Sequence, residues 1–217
     1  MTTEKMTVHK ALAELKVIDD RINKAISEGV YVIANKHSNE KIQGMTIEQF
    51  KEKMKASHQK VTDLINRRNA LKRAVVLSNA TTKIKIGNHE YTVAEAIEMK
   101  NHGMEFKTNY MRTIASQNLS AQADINRNSG EAIEKRAEQY VLSVIQAQPK
   151  DAKMAIDSDA MQALRKDYIK NNTYDLIDPL KVNDIIEKMT DEINEFNTEV
   201  DAALSVSNAL TVIEFEY

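Results

Sequence analysis

The chain has 217 residues with no Cys and no Trp, which excludes disulfides, thiol nucleophiles and thiolate metal sites. Gly (5) and Pro (2) are too scarce for a glycine-rich phosphate loop, and their scarcity predicts long uninterrupted helices. The formal net charge of −2 hides an asymmetry: residues 64–89 hold six bases and no acid, whereas 184–217 hold nine acids and one base. Such segments either face each other or face different partners.

In chain order, a helix is predicted over 8–27, with Thr7 as N-cap and Val8, Leu12, Leu15, Ile18, Ile22 and Ile26 as its apolar stripe. Gly29 ends it, and 30–34 reads as a short strand or a buried extended segment before a polar loop at 35–44. Thr46 and Gln49 have capping-box spacing and open a second helix to Ser78, a rod of about 48 Å. Residues 78–95 are the hub. Asn79 reads as a left-handed C-cap, Ile84 and Ile86 alternate with Lys83 and Lys85, Gly87-Asn88 suits a tight turn, and Thr92 with Glu95 starts the third helix. The turn sends helices 2 and 3 back side by side, as an antiparallel pair.

A break at 126–130 precedes a helix over 131–148 stopped by Pro149, a connector at 150–157 and a short helix over 158–170. Asp178 as N-cap and Pro179 at the first helical position start the last long helix. The ending repeats the hub: residues 207–215 match 78–86 as S-N-A-x-T-x-I-x-[I/F]. Glu214 and Glu216 then face Lys83 and Lys85, with Ile213, Phe215 and Tyr217 on the buried side beside Ile84 and Ile86. The expected fold is mainly α: one elongated domain over 1–217, with the option of an inserted helical subdomain at 127–178. Its long amphipathic helices carry a three-stranded antiparallel sheet, made from the hairpin 82–92 and the C-terminal strand 211–217.

Several patches resemble a septicolysin-like family of small helical proteins with phage-encoded members. They are the early helix 12–26, I-N-R-R-N at 65–69, S-N-A-T-T with its hairpin, 92–97, and A-L-S-V-S-N-A-L-T at 203–211. The resemblance implies an α-helical architecture with a small sheet and carries no settled activity. The middle section, 126–178, departs from the shorter members.

No His lies in metal-ligand spacing, and no nucleophile motif, dinucleotide fingerprint or cleft for paired carboxylates is evident, so no metal, cofactor or catalysis is expected. The first expectation is a non-catalytic helical interaction or structural protein, phage-encoded and homo-oligomeric, with itself and other proteins as partners. The alternative is a phage anti-defence protein that sequesters a nucleotide signal. It would bind through Arg67, Arg68, Lys72 and Arg73, with Asn66 and Asn69 beside them and Tyr110 or Tyr140 stacking. Extended nucleic acid is not expected, because the chain lacks a basic balance and interleaved aromatics. No run approaches the roughly 20 apolar residues of a membrane span, and the start lacks a signal-peptide apolar region. A cytoplasmic setting is therefore expected: the host cytoplasm if phage-encoded, with the virion as an option.

Overall fold

The computed structural model describes residues 2–147 and 158–217, and within them the chain is mainly helical with small antiparallel ribbons. The expected stop at Pro149 and the connector at 150–157 lie outside the described residues. The chain divides into two compact units, Met1–Gly103 with Glu195–Tyr217, and Met104–Asn194.

In the first unit, β1 (Thr3–Thr7) leads into α1 (Val8–Glu28). The Thr7 side chain accepts the Lys10 N–H and so satisfies a donor that has no partner inside the helix. At the far end the Tyr31 hydroxyl donates to the carbonyls of Ala25 (3.1 Å) and Ile26 (3.2 Å). Residues 30–34 are irregular, and from Tyr31 onward they are exposed, so neither the strand nor the buried segment forms. The loop that follows holds a small ribbon. β2 (Lys41–Ile42) pairs with β3 (Met45–Thr46) across Gln43 and Gly44, both at positive φ (50° and 80°), the backbone a type I′ turn needs.

The predicted capping box of Thr46 and Gln49 starts α2 (Ile47–Thr81). The helix runs three residues past Ser78, and Asn79 is helical rather than a left-handed cap. Its last carbonyls are satisfied by threonines instead: the Thr81 hydroxyl donates to Leu77 O (2.9 Å) and the Thr82 N–H to Ser78 O (2.8 Å). No positive-φ residue is then required. The antiparallel partner of α2 is α1, tied to it by Glu14–Arg67 and Asp19–Arg68. The hairpin forms as read, with β4 (Lys83–Ile86), β5 (His89–Thr92) and Gly87 at φ 56°. The box of Thr92 and Glu95 then opens α3 (Val93–Glu98), which passes into a π-helical turn at Met99–Gly103. The last helix, α7 (Val182–Leu210), enters this unit at Glu195 and feeds β6 (Val212–Glu216).

The three-stranded sheet does not form. β6 pairs with β1, antiparallel, and the hairpin stays a separate two-stranded ribbon. The charge logic holds with other partners: Glu214 meets Lys5 (3.2 Å), and Lys83 meets Glu90 (2.8 Å) on its own hairpin. The apolar logic holds too. Ile213 and Phe215 are buried, but among Val8, Ala11, Leu71 and Val75 of α1 and α2, so the α1–α2 pair supplies the surface that the hairpin was expected to supply.

In the second unit, α4 (Met104–Arg127), α5 (Gly130–Ala147), α6 (Ser158–Asn172) and the first part of α7 pack together. Lys107 pairs with Glu192, Thr190 Oγ donates to the Met111 sulfur (3.2 Å) and Asn118 bonds Asn183 (2.8 Å), so α4 and α7 run antiparallel. α5 and α6 are joined by Tyr140 stacked on Tyr168 and by Arg165 between Glu134 and Glu138. α7 starts at Val182, later than Pro179 suggested. Lys181 has a positive φ (54°) that interrupts any helix there, and the Asp178 carboxylate accepts the Val182 N–H (3.0 Å) from beyond it.

Candidate functional site

The two passages from long helix to strand, both in the first unit, are built alike. At one, α2 runs through Thr82 into β4. The Thr82 N–H closes on Ser78 O (2.8 Å), and its carbonyl accepts the N–H of Val93, the first residue of α3 (2.9 Å). At the other, α7 runs through Thr211 into β6. The Thr211 N–H closes on Ser207 O (2.9 Å), and its carbonyl accepts the N–H of Val8, the first residue of α1 (2.9 Å). The register agrees as well: Ile84 lies opposite Tyr91 as Ile213 lies opposite Met6. The second half of this repeat was missed in the sequence. It is T-V-x-x-A-[L/I], at 7–12 and again at 92–97, and its Val and Ala are buried in both copies. We call the two structures the hairpin joint and the end joint.

Superposing the two motifs in sequence sets Arg67 against Phe196, Glu4 against His89 and Glu14 against Met99. At the hairpin joint Phe196 is buried, with Tyr91 edge-on to it at 5.8 Å. At the end joint the same layer is ionic. Arg67 has five N–H donors, and all five are used. Nε donates to Glu14 (2.6 Å), one terminal nitrogen to Glu4 and to the Tyr217 hydroxyl (2.5 Å), and the other to Glu4 (2.8 Å) and Glu14 (3.1 Å). The Tyr217 hydroxyl in turn donates to Glu4 (2.7 Å), and the guanidinium lies 4.9 Å from the Tyr217 ring centre. Its side chain is 19% exposed. The Arg67 hydrogen bonds hold the Glu4 carboxyl down to about 2, and Glu4 pushes the Tyr217 phenol up.

Among the described residues, grooves lie beside these joints. One of about 500 Å³ lies between β6 and α2, over Ala70, Ala74 and Leu77. A second of about 650 Å³ lies between β4 and α7, over Ala202, Ala203, Val206 and Leu210. The third, about 660 Å³, follows α2 beside Thr2 and Tyr217 and includes Lys60 and Asp63.

The residues singled out in the sequence do not converge on one of these. Asn66 and Arg67 line the third groove and Arg73 the first. Arg68 turns to Asp19 (2.8 Å), which lowers the Asp19 carboxyl through that hydrogen bond. Asn69 and Lys72 are exposed on α2 and line none of the three. Tyr110 and Tyr140 belong to the other unit, where Tyr140 is stacked on Tyr168 at 4.9 Å. Arg67 and Arg68 of the basic segment form their ion pairs with β1 and α1. Among the described residues, no three His, Asp or Glu side chains gather as a metal site, and no helix is long and apolar enough to cross a membrane. Comparison of the chain with known protein families, with curated proteins and with solved structures gives no match.

Proposed function

We propose that this chain is a non-catalytic helical interaction protein that assembles with copies of itself. The observation that carries the reading is the apolar rim around the joints. Leu77, Val206, Leu210 and Val212 are each more than half exposed, on the same elements as the buried Val75, Val200 and Ile213. Exposed aliphatic side chains grouped at a groove are the usual mark of a protein contact. Glu4, Lys5, Glu14, Arg67, Lys83, Glu90 and Glu214 near the joints are taken up in pairs with their neighbours rather than gathered round a cleft. The reading keeps the family resemblance at 65–69 and 203–211, and with it a phage origin and a cytoplasmic or virion setting.

Nucleotide sequestration is the weaker reading. It would require Arg67 to surrender bonds to two carboxylates before it met a phosphate, and the Lys60 charge in the same groove is offset by Asp63. Light scattering across a hundredfold range of protein concentration tests the first reading, and a monomer throughout removes it. A thermal-shift series with linear and cyclic nucleotides tests the second, and no shift with any of them removes it.

A further inference from the structure

Each two-stranded ribbon has two outer strand edges, and among the described residues neither pairs with a further strand, although the Gly87 N–H just after β4 donates to Glu199 (2.7 Å). Antiparallel pairing alternates residues that bond to the partner strand with residues whose N–H and C=O point away. At the end joint Thr2 and Tyr217 exchange bonds (3.0 and 3.3 Å), and Val8 bonds Thr211. By that alternation Ile213, Phe215 and Tyr217 bond to β1, while Val212, Glu214 and Glu216 direct their backbone groups outward. At the hairpin joint Val93 bonds Thr82, so Ile84 and Ile86 bond to β5, while Lys83 and Lys85 direct theirs outward. Hence the free edge of β6 carries acids and the free edge of β4 carries bases.

An exposed strand edge is a template for another strand, and charge is the usual protection. Here the charge is of one sign per edge. Two β6 edges would set Glu against Glu and two β4 edges Lys against Lys, so each edge repels its own kind. A β4 edge and a β6 edge attract. Beside each edge lies a groove floored by alanines, Ala70 and Ala74 at β6 and Ala202 and Ala203 at β4, where a backbone can approach a helix closely. Val206 and Leu210 rim the second groove, more than half exposed.

We propose that the chain assembles with a second copy of itself by strand addition, the free edge of β4 on one copy against the free edge of β6 on the other. This rests on the self-assembly reading above and names its surface. Glu214 and Lys83 keep their partners Lys5 and Glu90 within their own ribbons. Among the described residues Lys85 and Glu216 make no ion pair, and they supply the uncompensated charges of the contact.

The test uses two full-length variants. Lys83→Glu with Lys85→Glu makes both edges acidic, and Glu214→Lys with Glu216→Lys makes both basic. Each alone is expected to be monomeric by light scattering at concentrations where the parent assembles, and an equimolar mixture should recover assembly. Circular dichroism checks that each is folded. Should either misfold, Lys85→Thr and Glu216→Thr replace them, each expected to weaken assembly severalfold. Variants that assemble like the parent overturn the proposed surface and leave self-assembly standing. So does a mixture of folded variants that stays monomeric. A parent that is monomeric at every concentration overturns self-assembly itself.

Discussion

The hairpin joint and the end joint share backbone, register and capping bonds, yet are closed by different means. In the first, a two-residue turn joins the strands and the layer beneath is aromatic, Phe196 against Tyr91. In the second, β1 and β6 are connected only through the whole chain between them, and the layer beneath is Arg67 with Glu4, Glu14 and Tyr217. Closure entropy grows with the logarithm of loop length, so bringing the ends of about 200 residues together costs roughly 4 kcal/mol more than closing a two-residue turn. A guanidinium that bonds β1, α1 and the residue after β6 at once offsets part of that difference. It also makes the strand register unambiguous, because a one-residue slip would carry Glu4 away from Arg67.

Breaking the aromatic layer should have the larger effect. Phe196→Ala empties a fully packed position and should cost about 3–5 kcal/mol, read from urea unfolding. Arg67→Met should cost about 2–3 kcal/mol, because it leaves two carboxylates facing each other without their cation. Importing the hairpin's residues into the end joint, as Arg67→Phe with Glu4→His and Glu14→Met, should return stability to within about 1 kcal/mol of the parent, since Phe and Met replace most of a partly buried ion cluster at little net cost and His takes the exposed place that His89 has at the hairpin. If the triple variant is no better than Arg67→Met, the two layers are not equivalent.

Acid should separate the joints more gently. The folded-state value of Glu4, about 2, lies below its ordinary 4.5, so its contribution is complete above about pH 4.5 and disappears as pH falls toward 2. Amide exchange of Ile213 should therefore accelerate relative to that of Ile84 across this window, and equal protection at both would count against the role given to Glu4. The smallest effect is expected at the turn. Gly87 has φ 56°, and a Cβ there would meet the Glu195 carboxyl group, the mobile end of an exposed side chain. Gly87→Ala should cost about 1 kcal/mol, chiefly from backbone strain, measurable as a small shift in the unfolding midpoint.

Features set by neighbouring residues were legible in the sequence. Thr7, the Thr46–Gln49 and Thr92–Glu95 boxes and the hairpin at 83–92 all sit where their local chemistry put them. The partner of β6 was not legible, and the reason lies in β1. In T-E-K-M-T the inward positions are Glu4 and Met6, so the usual alternation of apolar and polar residues is inverted at Glu4. An inward carboxylate is explained only by Arg67, more than sixty residues away. The same distance hid the site: Glu4, Glu14 and Tyr217 gave no signal until Arg67 was placed among them. The T-V-x-x-A repeat was the available clue, because it pairs the start of α1 with the start of α3 and so the strand before each with its counterpart.

Pairing the first strand with the last also sets a schedule for synthesis. A ribosome adds roughly 5–20 residues per second, so β1 waits about 10–40 s before β6 emerges to meet it. Throughout that delay Glu4 and Met6 have no strand beside them, and the hairpin, though its strands are only a turn apart, waits almost as long for Phe196 to cover Tyr91. The nascent chain therefore passes through a stage in which both joints wait for the last helix and strand, with Val8 and Val75 still uncovered by Ile213 and Phe215 and Tyr91 still uncovered by Phe196.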